Sequence, residues 1–577
     1  MKVSNLLASA VILTTLFAFP ACNKDLKNLN EGTFTGQGSG RNGIIEVSIT
    51  VHDGKIAEAH VVRDQETPEI AESAKNQILS QFIEDGSTAN LDVVSGATMT
   101  SNGLLDALDA AVASAQGQTQ SEITYHDSEC DIAIIGAGGA GLTAATEAAS
   151  KGAKVIVLEK MGIVGGNSNF STGGINAAYT KEQERLGIID SKKTFFEDTM
   201  KGGKFLNNPE LVKKLVDESA GIVEWLQSPM IGADLSDVGI FGGATNKRIH
   251  RPQGGGAIGA HLVPLLHKAA ITQGADIRLN NRVIDIISEN GKPAGVLVSH
   301  NDKTYTVKAK AIIIATGGFG ANSELVQLYQ PSLAGFSTTN HKGATGDAFK
   351  MVEKFNAALT QMEQIQTHPT VVKGTGFMIT EAVRGNGAIL VNRNGKRFVN
   401  EMETRDIVSS AILKSPGKSA FLLFDQGITD SLKAISDYIK QPWMVTGSSV
   451  QELAKKLKIN PDELEQTIQL YNHYVSEHED ADFERNAGSM ERRIEKAPFY
   501  AIEIEPAVHH TMGGLKINTE AQVLDKNDKV IPGLFAAGEV TGGIHGANRL
   551  GGNAVADFCI FGKIAADSAL KFTGGAK

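Results

Sequence analysis

Asp131-Ile132-Ala133-Ile134-Ile135 runs straight into Gly136-Ala137-Gly138-Gly139-Ala140-Gly141, then into the stretch Leu142 to Ser150 and the run Val155-Ile156-Val157-Leu158, which ends at Glu159. The order is that of a buried strand, a glycine turn, a helix, a second buried strand and an acid, within about thirty residues. In such a unit Gly136 makes the turn, Gly138 lets backbone approach a pyrophosphate, and Gly141 allows the helix to pack closely. Glu159 is placed to hold ribose hydroxyls. A glycine fingerprint alone is weak, but one in full structural context predicts a dinucleotide-binding fold.

The chain around this unit has 577 residues, 41% of them hydrophobic and 21% charged, which is the composition of a soluble globular protein. That length predicts roughly two to four domains. A formal charge of -10 without a basic tract argues against nucleic acid as a partner. Lys2 is the only charge before an apolar run from Leu6 to Phe19, too short to span as a permanent helix and placed like an export signal. Ala21 followed by Cys22 reads as a processing site. It resembles a bacterial lipoprotein signal, in which Cys22 would carry the lipid; Phe19 and Pro20 fit that pattern imperfectly. The expectation is a signal peptide over 1–22 and a mature protein outside the cytoplasm, in the periplasm or at the cell surface, anchored at Cys22. The other cysteines are Cys130 and Cys559, whose pairing the sequence leaves open. No Cys-x-x-Cys-His occurs, which excludes covalent c-type haem, and cysteine-ligated clusters of the usual spacing are excluded too. No metal site is expected, so electrons need another carrier.

Residues 32–115 form a first unit. Ile45, Val47, Ile49 and Val51 alternate with polar residues as in a half-buried strand; Asp53-Gly54 is a hairpin turn, and Ile56 to Val62 is the return strand. Pro68 opens a helix to about Ile83. Asp92-Val93-Val94-Ser95-Gly96-Ala97-Thr98 follows, with a helix expected over 102–115. This run resembles the flavinylation motif of FMN-binding domains in respiratory flavoproteins, and the resemblance implies FMN covalently attached to the Thr98 hydroxyl through its phosphate by a separate flavin-attaching enzyme. A turn before a helix start suits a phosphate, because backbone N–H groups and the helix dipole favour an anion there. Residues 116–128 are polar and read as a linker.

Downstream of Glu159 come Gly165-Gly166-Asn167-Ser168 and Ser171-Thr172-Gly173-Gly174-Ile175-Asn176, then Ala311-Ile312-Ile313-Ile314-Ala315-Thr316-Gly317-Gly318 and Ala536-Ala537-Gly538-Glu539. In this order they resemble the flavoproteins of the fumarate reductase and succinate dehydrogenase superfamily. The resemblance implies non-covalent FAD held by Gly136, Gly138, Gly139, Ala140, Gly141, Glu159, Lys160, Asn167, Ser168, Thr172, Gly173, Gly174, Thr316, Gly317, Gly318, Asp347, His510, Glu539, Ala554 and Val555. The fold it implies is α/β: a Rossmann-like FAD-binding domain over 129–362 and 506–577, an inserted α+β capping domain over 363–505, and the small α+β FMN-binding domain in front.

The insertion and the C-terminal return also carry Thr367-His368-Pro369, Thr380-Glu381-Ala382-Val383-Arg384, Thr404-Arg405-Asp406, His509-His510-Thr511 and Asn548-Arg549-Leu550. Cationic groups converging in a cleft make a cage for a small dicarboxylate, since low-dielectric walls focus their field. Motif by motif these stretches resemble the soluble fumarate reductases. That likeness implies Arg549 and His509 on one substrate carboxylate, His368 and Thr380 on the other, hydride from FAD, and a proton from Arg405 relayed through Glu381 and Arg384. Met378 stands where that family contacts substrate. Urocanate reductases resemble the chain too, but carry Tyr at the position of His368; the intact His favours a second carboxylate over an imidazole. Acids of the acrylate and cinnamate type are also compatible with the resemblance. A non-catalytic electron-transfer flavoprotein is less favoured, because Arg405 and Arg549 are both present. An oxidase of the L-aspartate type would need no FMN domain. A membrane or extracytoplasmic electron donor is implied.

Overall fold

The apolar run at Asp131 becomes the strand Ser128–Ile135, the middle of the central sheet. The computed structural model describes residues 29–574 apart from 42, 65, 67, 90, 95, 96, 119–123, 433 and 434. The expected signal peptide and Cys22 therefore lie outside the described residues, as do Ser95, Gly96 and part of the expected linker.

Val155–Leu158 lies parallel to Ser128–Ile135, with Ile132 opposite Val155, and Lys303–Ile314 lies parallel on its other flank, with Ile312 opposite Ala133. The sheet continues through Asp276–Arg278 at one edge and through Lys292–His300 and Arg282–Glu289 at the other. Val530–Ala536 returns beside Lys303–Ile314, also parallel. Ser128–Ile135, Val155–Leu158 and the end of Lys303–Ile314 read as apolar runs because helices cover both faces of the parallel part of the sheet. The connecting helix is Gly139–Ser150, starting three residues before the expected Leu142. Gly139, Ala140 and Gly141 are thus its first turn, where backbone N–H groups lack intrahelical acceptors. The C-terminal helix Asn553–Thr573 packs against it through Phe558.

The first unit is an antiparallel sheet, Gly32–Ser39 beside Ile44–His52 beside Lys55–Arg63, covered by the helices Pro68–Asp85 and Thr98–Ala115. Ile45, Val47, Ile49 and Val51 point into its core as the alternation requires. Two features differ from expectation. The glycine-rich strand Gly32–Ser39 is unanticipated, because Gly disfavours strands. Here Gly36 and Gly38 let a helix lie on the sheet: a Cβ on Gly38 would stand 2.1 Å from the Gly103 carbonyl. The second helix begins at Thr98, not Asn102, so Thr98 sits in its first turn.

The inserted cap has its own antiparallel sheet in the order Ile365–Val372, Phe499–Thr511, Ala420–Asp425, Ile389–Val391. Its core of Leu390, Leu422, Phe424, Tyr471 and Ile502 is separate from that of the central lobe. The return to the central lobe expected at 506 falls inside Phe499–Thr511, a single strand of 13 residues. Cap and lobe therefore share one unbroken strand, and His509 and His510 lie near its end.

Cys130 and Cys559 are buried and unpaired. Burial pushes the Cys130 thiol up to about 12, so it stays protonated and unreactive at neutral pH. No helix among the described residues is long and apolar enough to cross a membrane.

Gly38→Ala drives a methyl group into helix backbone and is expected to cost the first unit about 1–3 kcal/mol, as overpacking does. Thermal unfolding followed by far-UV circular dichroism should show the signal of this helix-and-strand unit lost at a lower temperature in the Gly38→Ala protein than in the parent.

Candidate active site

Between the central lobe, the cap and the first unit lies a cavity of about 800 Å³. One end is a backbone cradle. A Cβ on Gly138 would meet nothing nearer than the Gly165 carbonyl at 3.8 Å, and one on Gly166 or Gly317 would meet nothing within 4 Å, so bare backbone borders the space. Thr316 Oγ1 is buried without a hydrogen-bond partner among the described residues. Glu159 accepts the Ala137 N–H at 2.8 Å and the Met161 N–H at 2.8 Å. Burial pushes its carboxyl up, and those two donors hold it back. Lys160 bridges Thr345 at 2.6 Å and Asp347 at 3.1 Å. Farther along, Ser168 Oγ accepts the Gly139 N–H at 3.1 Å, and Asn167 donates to Glu539 at 3.2 Å. The helix Asn553–Thr573 starts at the wall, with Ala554 and Val555 on the cavity, so its positive end faces the space. An extended, polar-edged slot with helix N-termini at two places fits a dinucleotide carrying phosphates and a redox ring.

Thr172, Gly173, Gly174, Gly136, Gly139, Ala140 and His510 also line the cavity. Gly141 and Gly318 do not. A Cβ on Gly141 would stand 1.9 Å from the Gly136 carbonyl and one on Gly318 2.0 Å from the Thr511 hydroxyl, so both serve packing behind the wall.

The other end is the cage. His368 on Ile365–Val372 and His509 on Phe499–Thr511 come together because the strands pair antiparallel, His368 opposite Ala507, which sets their rings 5.1 Å apart. Arg405 opens the helix Arg405–Lys414. Its Nε donates to Glu381 Oε2 at 3.1 Å and its Nη1 to Gln366 Oε1 at 3.2 Å. Gln366 in turn donates to the Arg549 carbonyl at 2.8 Å, so one amide ties the two arginines together. Thr380 and Arg549 complete the wall with Met378. Arg384 stands behind it, 1% exposed, with Nη2 3.7 Å from Glu381.

Arg405 and Arg384 thus flank the Glu381 carboxylate out of water, and Arg549 stands near Arg405 with Glu539 as its first carboxylate neighbour. Burial, then Arg405, lowers Arg549 to about 9. Burial also lowers Arg384, against the pull of Glu381. For Glu381 burial raises the carboxyl, but Arg405, Arg384 and the Gly242 N–H outweigh it, and it stays ionised. His368, His509 and His510 are driven well below the ordinary imidazole value by burial and by the arginines. They are therefore neutral, and of the cationic or potentially cationic groups in these stretches the arginines alone carry the positive charge. The Thr370 N–H donates to His368 Nδ1 at 3.3 Å, which leaves the proton on Nε2.

Several participants escape the sequence motifs. Gln366 lies two residues before His368 on the same strand and so on the same face, a readable signal. Thr339, whose Oγ1 meets His509 Nδ1 at 2.7 Å, and Gly242, whose N–H meets Glu381 Oε1 at 3.0 Å, come from distant loops with no local signal. Ala97, Met99, Thr100, Asn102 and Arg41 of the first unit border the same cavity. Arg41 lies over the Phe170 ring at 4.5 Å, docking that unit on the central lobe. Ala97, the residue before the helix Thr98–Ala115, has no side-chain acceptor to cap it, so the first-turn N–H groups suit a phosphate.

Residues 131–555 match the FAD binding domain family and residues 40–113 the FMN-binding domain family. The chain is 48% identical over 450 residues to a fumarate reductase (cytochrome) of Shewanella frigidimarina, covering 78% of each. It is 33% identical over 560 residues to a urocanate reductase of Eggerthella lenta, covering 93% of the chain and 92% of the relative. The solved open conformation of a flavocytochrome c3 fumarate reductase superposes with a TM-score of 0.67 at 42% identity, over 78% of this chain and 79% of that one. The chain belongs to the FAD-binding flavoproteins of the fumarate reductase type: it is an oxidoreductase acting on CH–CH bonds, with an FMN-binding domain on its N-terminal side.

Proposed function

We propose that the protein reduces fumarate to succinate outside the cytoplasm, taking electrons through FMN attached at Thr98. The observation that carries this reading is the cage: Arg405 and Arg549 on the same cavity as the dinucleotide cradle, with Arg384 buried behind Glu381. Guanidinium forks buried on a cavity favour an anion there, and carboxylates match their bidentate geometry best.

Bound FAD supplies the hydride. Arg549 and His509 grip one carboxylate, and His368 through its Nε2–H, with Thr380, grips the other. Drawing charge onto the carboxylates makes the alkene electrophilic. Arg405 has Nε and Nη1 engaged by Glu381 and Gln366, which leaves Nη2 to give the proton to the adjacent carbon. Hydride plus proton converts the C=C bond to CH–CH, and Glu381 and Arg384 return a proton to Arg405. The donor is a membrane or extracytoplasmic electron carrier, a separate enzyme attaches the FMN, and Cys22 carries the lipid anchor.

The test is anaerobic oxidation of a reduced viologen by purified protein with fumarate, urocanate, acrylate and cinnamate in parallel. Fumarate should be turned over fastest, and preference for urocanate or cinnamate sinks the assignment. Arg405→Ala should lower kcat by about 10²–10⁴-fold, the range for a general acid, with flavin content unchanged. Arg549 is charged below its value of about 9 and neutral above it, so kcat/KM for fumarate should fall as pH rises through about 9. Bound dianion favours the charged form, so kcat should hold to higher pH. A flat kcat/KM profile up to about one unit above that value counts against Arg549 as a carboxylate anchor.

A further inference from the structure

The cap carries a cluster of aromatic rings that the reaction does not use. Phe377 lies 5.5 Å from Trp443 and 5.9 Å from Tyr438, and Tyr438 and Trp443 are 6.2 Å apart. Phe377 packs against two cores at once, that of the cap and that of the first unit. Phe377, Tyr438, Gln441 and Gly376 line the cavity together with Met99, Thr100 and Asn102 from the helix that Thr98 opens. Trp443 does not line it and stands behind as a buttress. The cluster also reaches the cage, because the Thr380 N–H lies 3.4 Å from the Tyr438 hydroxyl.

We propose that Phe377 and Tyr438 of the cap form the wall on which the isoalloxazine of the Thr98-linked FMN docks. The second flavin site is then made by two parts of the chain, the helix Thr98–Ala115 and the inserted cap. This rests on the reading of Thr98 as the attachment residue. A flat, conjugated ring is stabilised by aromatic walls, and its phosphate belongs at the helix start, where Ala97 offers no competing acceptor. Phe377 stands half-buried on the cavity where the cap packs on the first unit, so its ring faces the space open to a group carried by that unit. One consequence is coupling. The loop that presents Phe377 also carries Met378 and Thr380, so seating the cap on substrate and completing the electron-entry site are one movement.

The experiment uses full-length protein with FAD bound and FMN at Thr98, the latter checked by the mass of the Thr98 peptide. Flavin emission of a Thr98→Ala protein, which holds FAD alone, is subtracted to isolate FMN emission. In Phe377→Leu the ratio of undocked to docked FMN should rise about fivefold, and emission with it, the lower end of what a stacking contact holds. Phe377→Trp, which keeps a ring, should stay quenched. If the Leu protein fails to take up FAD, Phe377→Met, of similar bulk but without a ring, gives the same reading. Unchanged emission in the Leu or Met protein, with FMN confirmed at Thr98, overturns the docking wall and leaves the proposed function standing. A Thr98 left unmodified in protein produced together with the flavin-attaching enzyme overturns both the docking wall and the electron entry through Thr98.

Discussion

Glu381 is the carboxylate on which Arg405 and Arg384 converge, and the seam between cap and central lobe is organised around it. It takes the Arg405 Nε at 3.1 Å from one segment of the cap and the Gly242 N–H at 3.0 Å from the central lobe. Removing one member of such a buried set leaves an uncompensated charge, which costs about 3–5 kcal/mol. The Gly242 donor ties that penalty to position: lifting the cap away from the lobe takes a hydrogen bond from the carboxylate. In the proposed reaction, the seating of the cap and the Glu381 contact to Arg405 therefore depend on one another.

Arg384 has to stand behind Glu381 without water, and the cap builds a second charged layer to hold it. Arg485 donates to the Arg384 carbonyl and pairs with Glu401 at 3.1 Å, while Arg397 bridges Glu401 at 2.8 Å and Asp480 at 2.8 Å. These groups are almost wholly buried and satisfy one another, so the network fixes side chains in place more than it adds stability.

Much of this was legible because it is local. The glycine turn between two apolar runs demands a strand, a helix and a parallel strand, and the alternation from Ile45 to Val51 demands a two-faced strand. What was not legible depends on partners far away in sequence. Gly36 and Gly38 give no strand signal until a helix is laid on them. Thr98 belongs to a helix whose start lacks a capping side chain. Phe499–Thr511 runs through the expected boundary because its first half pairs within the cap while its end carries His509 into the cage. The histidines read as potentially cationic because their pattern is visible and their desolvation is not. Arg405 and Arg549 help hold them neutral, and no short window of sequence contains that pairing.

Neutral histidines also make sense of the proposed reaction. Fumarate and succinate carry the same double negative charge, so a cage that relied on charge alone would hold product as firmly as substrate. Hydride arrival adds a third negative charge, spread toward the carboxylates, and only that state gains fully from the surplus of arginine charge. This is stabilisation where it accelerates the reaction. Imidazoles that were charged would add pull on every state, ground state and product included. Kept neutral by their surroundings, they supply directed N–H donors that orient the carboxylates without deepening the well. When Arg405 gives up its proton, the cage loses a positive charge as the ligand loses a negative one, and the product is held by less than the state that formed it.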